Sequence, residues 1–146
     1  MSENKGCLLA FLKLFNHKTQ KPPIYIAKKI LSNAELSFYH CLKNNLDDKH
    51  VIFCKVRLED IINIKKGIEN YNTERNRIKS KHLDFVICDS QSLEIQRIIE
   101  LDDSSHEYKK EADEFKDSAL KEAGLIIVRC PAKRTYTNED ITRLLA

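Results

Sequence analysis

A chain of 146 residues is enough for one ordinary domain and too short for two independent cores. With 42% hydrophobic and 32% charged residues and only three Gly and three Pro, it fits a folded α/β or α+β protein and not a disordered, collagenous or turn-rich β-sandwich chain. The net charge of +3 conceals a cationic first half, with 16 basic and 8 acidic side chains over residues 1–81, and an acidic second half, with 9 basic and 14 acidic over residues 82–146.

At the N-terminus CLLAFLKLF, residues 7–15, is flanked by Lys5, Lys13 and Lys18. It falls short of the roughly 20 apolar residues that span a bilayer. It suits either a short amphipathic helix in peripheral contact with a membrane or a segment packed on the domain. NHKTQKPP reads as a linker, because Pro22 and Pro23 cannot continue a helix. Residues 1–23 are therefore an amphipathic segment with its linker, and residues 24–146 form the domain. Ser32-Asn33-Ala34-Glu35 is a capping box, and Ala34, Phe38, Leu42 and Leu46 at steps of four predict a helix of about 15 residues. HVIFCKVRL alternates Ile52, Cys54, Val56 and Leu58 with Phe53, Lys55 and Arg57, which predicts a strand with those two sets on opposite faces. Glu59–Ile64 suits a short helix. KKGIENYNTERNRIKSK reads as a partly helical basic surface segment.

HLDFVICD and EIQRIIELD predict two strands around the turn Ser90-Gln91-Ser92. Ser104 or Ser105 can cap a helix running to Ala123 with Ala112, Phe115, Ala119 and Leu120 facing inward, and Gly124 stops it. LIIVRC is a further strand, and Thr137-Asn138-Glu139-Asp140 opens a last helix to Leu145. The five cysteines form no CxxC or CxxH pair. A disulfide framework and a structural zinc site are disfavoured, and a reducing cytoplasm is the natural compartment.

Between Asp84 and Asp117 there are 11 acidic and 4 basic side chains, which must be solvated, paired or gathered around a cation. Asp84 interrupts an apolar strand, where a carboxylate is costly unless paired or metal-bound. A hairpin centred on Ser92 sets Asp84 opposite Glu100, and Asp102 returns to the same face. Three convergent carboxylates suit a hard divalent cation. The competing reading has Asp102 and Asp103 capping the next helix and Glu100 at a solvated strand end. His82 points to the side of Asp84, as a site neighbour or as an edge-strand histidine without a role. Lys65, Lys66, Arg75, Arg77, Lys79 and Lys81, with Tyr71 among them, fall just before Asp84 and read either as a phosphate-binding track or as a solvated helix face.

KHLDFVICD, IIELDDSSH and the stretch from Asp113 to Arg129 resemble the bacterial domain-of-unknown-function family 2726. That family is placed among the PD-(D/E)xK nucleases, near the very short patch repair endonuclease, and the likeness runs from about Ile24 to Leu145. It implies a restriction-endonuclease-like α/β core with a mixed sheet of about four strands flanked by helices. It also implies Mg²⁺ or Mn²⁺ held by Asp84 and Glu100, with the Leu101 carbonyl or the Asp102 carboxylate completing the set. His106, six residues after Glu100, matches a catalytic histidine of the repair branch. Glu35 matches a helical glutamate of many such nucleases, although the capping box already gives it a role.

The usual motif lysine is replaced here by Asp102. His106 becomes the candidate for positioning water or protonating the leaving group. Lys81, Lys110 and Lys116 are substitutes for the lost ammonium, each competing with an ordinary solvated surface position. The expected activity is hydrolysis of DNA or RNA by metal-activated water. The alternative is a non-catalytic nucleic-acid-binding or membrane-associated adaptor on the same fold, which the missing lysine favours and the Asp84/Glu100/His106 set disfavours.

Overall fold

The computed structural model describes residues 23–102 and 110–145. The N-terminal segment 7–15 and its linker up to Pro22 lie outside the described residues, as do Ser104, Ser105 and His106. Residues Ile24, Tyr25, Ile26 and Ile30 are exposed, and packing against the core begins at Leu31.

Helix α1, Asn33–Asn45, begins at the predicted capping box: the Ser32 hydroxyl accepts from the Glu35 amide, and the Glu35 carboxylate accepts from the Ser32 amide. Phe38 and Leu42 of its apolar row are fully buried, whereas Leu46 is the extended C-cap, so the helix stops one residue short of the row's last member. Strand β1 covers His50–Arg57 and is followed by a 3₁₀ turn over Leu58–Asp60 only, in place of the helix expected to Ile64. Leu58 is completely buried there and fixes the turn to the core. The polar segment forms helix α2, Tyr71–Lys79, anchored by its one buried residue, Ile78.

Strands β2, His82–Asp89, and β3, Ile95–Asp102, form the expected hairpin. Asp89 ties its loop by accepting from the Gln91 and Ser92 amides and the Ser92 hydroxyl. These donors, the Ser92 amide first, hold the Asp89 carboxyl below its ordinary value. Helix α3, Lys110–Glu122, ends at Gly124 (φ 76°), a left-handed position that glycine adopts without strain. Strand β4, Ile127–Pro131, then leads to helix α4, Asn138–Leu145. That helix opens on a second reciprocal cap between Thr137 and Asp140.

The sheet is mixed, in the order β1-β2-β3-β4, with β1, β2 and β3 antiparallel and β3 parallel to β4. This is an α/β fold with apolar side chains on both faces of the sheet. Phe85, Ile87 and Ile99 pack with Phe38, Leu42 and Ile141 from α1 and α4. Val86, Cys88 and Ile98 pack with Leu58, Ile78 and Leu120 from the other side. Because α3 carries the chain from β3 to its parallel neighbour β4, the carboxyl ends of those two strands lie together, the position where open α/β sheets form binding crevices. Among the described residues no helix is long and apolar enough to cross a membrane.

Candidate active site

The register between β2 and β3 sets the site. Phe85 pairs with Ile99, Val86 with Ile98 and Ile87 with Arg97, so Asp84 falls opposite Glu100 as the hairpin centred on Ser92 requires. An irregularity nearer the loop shifts the pairing so that Cys88 faces Ile95, without disturbing the site end. Asp84, Glu100, Leu101 and Asp102 all border one cleft of about 450 Å³, closed by Glu35 at the start of α1, Lys55 of β1, Asp113 and Lys116 of α3, and Arg129 of β4. His82 also borders it, but from an exposed position on an interior strand, since β1 flanks β2. The expectation of an edge strand at His82 is corrected accordingly.

Each carboxylate meets a cation. Lys55 Nζ donates to Glu35 Oε1 at 2.5 Å and to Asp84 Oδ1 at 2.7 Å, while the Leu101 amide donates to Asp84 Oδ2 at 3.0 Å. Lys116 Nζ donates to Glu100 Oε2 at 2.6 Å and lies 3.5 Å from Asp113. Arg129 donates to Asp117 at 2.8 Å and reaches Asp102 at 3.4 Å. Glu100 is 6% exposed, and its Oε1 is buried with no hydrogen-bond partner among the described residues.

The electrostatics follow from this pairing. Burial pushes the Glu100 carboxyl above its ordinary value, more than Lys116 pulls it down. Burial acts in the same sense on Glu35, but there Lys55 and the Ser32 donors win and the carboxyl is held low. Burial disfavours the charge of Lys55, but its bonds to Asp84 and Glu35 outweigh that and raise it. Arg129 is raised chiefly by its hydrogen bond to Asp117.

Two of these cations depart from what the sequence implies. Strand alternation places Lys55 outward with Phe53 and Arg57. Instead it adopts φ 56°, a left-handed conformation costing about 1–3 kcal/mol for a non-glycine residue. The ladder pairs Cys54 with Phe85 and Val56 with Leu83 but omits Lys55 opposite Asp84. The inward phase switches there: Ile52 and Cys54 pack on the α1 side and Val56 on the other. Lys116 is not a solvated lysine, for it is buried at 9% exposure. Its position offered a signal: it stands in the row Ala112, Lys116, Leu120 at helical steps of four, beside Phe115 and Ala119.

Among the described residues no group of three His, Cys, Asp or Glu stands as a ready metal cage; ammonium groups lie against the carboxylates instead. The donor chemistry nevertheless fits a hard divalent cation. Among the described residues the cleft is bordered by five carboxylates (Glu35, Asp84, Glu100, Asp102 and Asp113) against three permanent cations (Lys55, Lys116 and Arg129), an excess of two negative charges. Glu100 Oε1, without a hydrogen-bond partner among the described residues, supplies a further oxygen.

Over residues 27–146 the sequence matches the family model described as Protein of unknown function (DUF2726). The chain belongs to that family. No curated protein and no solved structure matches it. The DUF2726 match takes in every carboxylate and lysine of the cleft.

The basic segment of this DUF2726 domain divides into paired and unpaired positions. Arg75 is held by Glu59 at 2.5 Å. Arg77 pairs with Glu74 and lies 4.0 Å over the Phe115 ring, which Lys81 approaches at 5.4 Å. Lys65, Lys66 and Lys79 are exposed and have no ion-pair partner among the described residues. If this segment binds nucleic acid, replacing these three lysines with glutamine is expected to reduce the salt dependence of that binding by up to about three units of slope, one per lost phosphate contact. Folding stability should stay nearly constant. A salt slope equal to that of the wild type removes this segment from the binding track.

Proposed function

We propose that this chain is a metal-dependent nuclease of the PD-(D/E)xK class, near the very short patch repair branch, that hydrolyses phosphodiester bonds of nucleic acid, DNA foremost. The observation that carries the reading is Glu100: a carboxylate buried at the carboxyl end of β3, opposite Asp84, with one oxygen held by Lys116 and the other without a partner among the described residues. A buried acid with an open coordination direction is costly for stability and useful for binding a cation. Asp84, Glu100 and either the Leu101 carbonyl or Asp102 are the residues that would hold Mg²⁺ or Mn²⁺. Such an ion supplies charge stabilisation at a phosphate and lowers the pKa of water.

The chain's own groups do the rest. Leu101 N–H fixes the orientation of Asp84 through Oδ2. Lys116 steadies Glu100, and Arg129 does the same for Asp102. The lack of a motif lysine at Asp102 favours an adaptor; Lys55 and Lys116 bring ammonium groups to the cleft from β1 and α3, which supports the enzymatic reading. Glu35 acts by anchoring Lys55 as well as by capping α1. The cytoplasm is the compartment that suits the cysteines, and a peripheral membrane contact through residues 7–15 belongs to the adaptor alternative.

The test is a panel of DNA, RNA, mismatched and branched substrates incubated with the full chain and Mg²⁺ or Mn²⁺. Metal-dependent cleavage of any member supports the reading, and binding without cleavage across the panel transfers support to the adaptor. His106 lies outside the described residues and keeps its sequence-derived role in positioning water or protonating the leaving group. His106→Ala is expected to lower cleavage about 10²- to 10⁴-fold while leaving metal binding and the fold nearly unchanged. Cleavage by that variant at the wild-type rate removes His106 from the mechanism.

A further inference from the structure

Asp84 and Glu100 are not equally open to a cation. Both oxygens of Asp84 are engaged, Oδ2 by the Leu101 amide at 3.0 Å and Oδ1 by the Lys55 ammonium at 2.7 Å. Glu100 gives one oxygen to Lys116 at 2.6 Å and keeps Oε1 buried, with no partner among the described residues. A cation held by these two residues would thus meet an open oxygen on Glu100 and an ammonium on Asp84. The Leu101 amide belongs to the backbone of β3 and cannot withdraw without disturbing the sheet. Lys55 carries its charge on a flexible four-carbon stem and has a second anchor, Glu35 Oε1, at 2.5 Å. It can leave Asp84 without leaving the cleft.

We propose that Lys55 is a placeholder cation, displaced from Asp84 Oδ1 by the arriving divalent metal, held at the cleft by Glu35, and turned toward the phosphate of the bound nucleic acid. This rests on the nuclease reading and adds a regulation to it. Without nucleic acid, metal binding leaves an ammonium close to a dication, and like charges at that range weaken the site. A phosphate gives the displaced ammonium a new partner, and so metal and nucleic acid each strengthen the other's binding, by the same factor in both directions. The left-handed backbone at Lys55 fits this role. A residue in regular strand conformation opposite Asp84 would complete the ladder, whereas φ 56° takes Lys55 out of it.

The measurement is calorimetric titration of Mg²⁺ into the full chain, wild type and Lys55→Met, with and without a short DNA duplex carrying phosphorothioate linkages. Wild type is expected to bind Mg²⁺ about 5- to 150-fold tighter when the duplex is present, the usual range of coupling between sites. Lys55→Met is expected to bind Mg²⁺ about tenfold tighter than wild type without DNA, as befits removal of one like charge, and to gain little from the duplex. If Lys55→Met binds Mg²⁺ no tighter than wild type, the placeholder role is overturned while the nuclease reading stands. If no protein binds metal under any of these conditions, both fall. Should the variant fail to fold, the ¹⁵N resonance of the Lys55 ammonium in the wild type decides. A shift on adding Mg²⁺ that Lys116 does not share supports the proposal, and an unmoved Lys55 signal overturns it.

Discussion

On the proposed nuclease reading, Asp84→Asn and Glu100→Gln are each expected to abolish divalent-metal binding and to lower metal-dependent cleavage by about 10³-fold or more, since each would remove a ligand and its charge from the proposed metal centre. The two substitutions differ in their structural cost. In Asp84→Asn the new side-chain amide can keep its oxygen toward the Leu101 N–H, but it then offers an NH₂ group to Lys55, two donors facing each other. In Glu100→Gln the side chain keeps an acceptor for Lys116 and places its own NH₂ where Oε1 now has no partner among the described residues. Glu100→Gln nevertheless leaves the buried Lys116 ammonium facing a neutral partner, whereas Lys55 keeps Glu35 in Asp84→Asn, so Asp84→Asn should fold the better of the two and is the cleaner separation of catalysis from stability. Calorimetry with Mg²⁺ and a cleavage time course check both results. Metal affinity equal to wild type in both variants places the metal elsewhere or nowhere.

The carboxylate half of the site was legible in the sequence, and the ammonium half was not, for a reason that lies in connectivity. β2 and β3 are joined by a short loop, so the turn residues around Ser92 fix the register, and Asp84 opposite Glu100 follows from the position of the turn. β1 and β2 are separated by the 3₁₀ turn and α2, and no short turn sets their register. That Lys55 lies opposite Asp84 depends on packing that a single strand pattern does not carry. The alternation rule itself misplaces Lys55, because one left-handed residue exchanges the two faces of the strand. Local signals, by contrast, placed their elements well. The capping boxes at Ser32 and Thr137 and the glycine at 124 act within one turn of backbone, where tertiary context has little to override. The segment after Leu58 shows the opposite case: a helical-looking stretch shortens to one 3₁₀ turn once Leu58 is drawn into the core.

The burial of Glu100 beside Lys116 makes folding stability depend on pH. Its ammonium and the Glu100 carboxylate are 11% and 8% exposed as side chains. Removing one partner of such a buried pair costs about 3–5 kcal/mol. Lys116→Met keeps a buried stem of similar length and removes the ammonium. Glu100 is already pushed up by burial. A folded state with a raised acid holds more protons than the unfolded chain between the two pKa values, so stability falls as pH rises through that window. Without Lys116 the window widens toward neutral pH. Urea unfolding is therefore expected to show a loss of about 3–5 kcal/mol at about pH 8, where Glu100 is forced to ionise unpaired, and a much smaller loss at about pH 5, where it takes up a proton. Lys116→Met combined with Glu100→Met should recover most of the stability lost at about pH 8, because an apolar pair carries no uncompensated charge. A loss of equal size at both pH values, or a double variant no more stable than the single one, would show that Lys116 acts through packing and not as the counter-charge of Glu100.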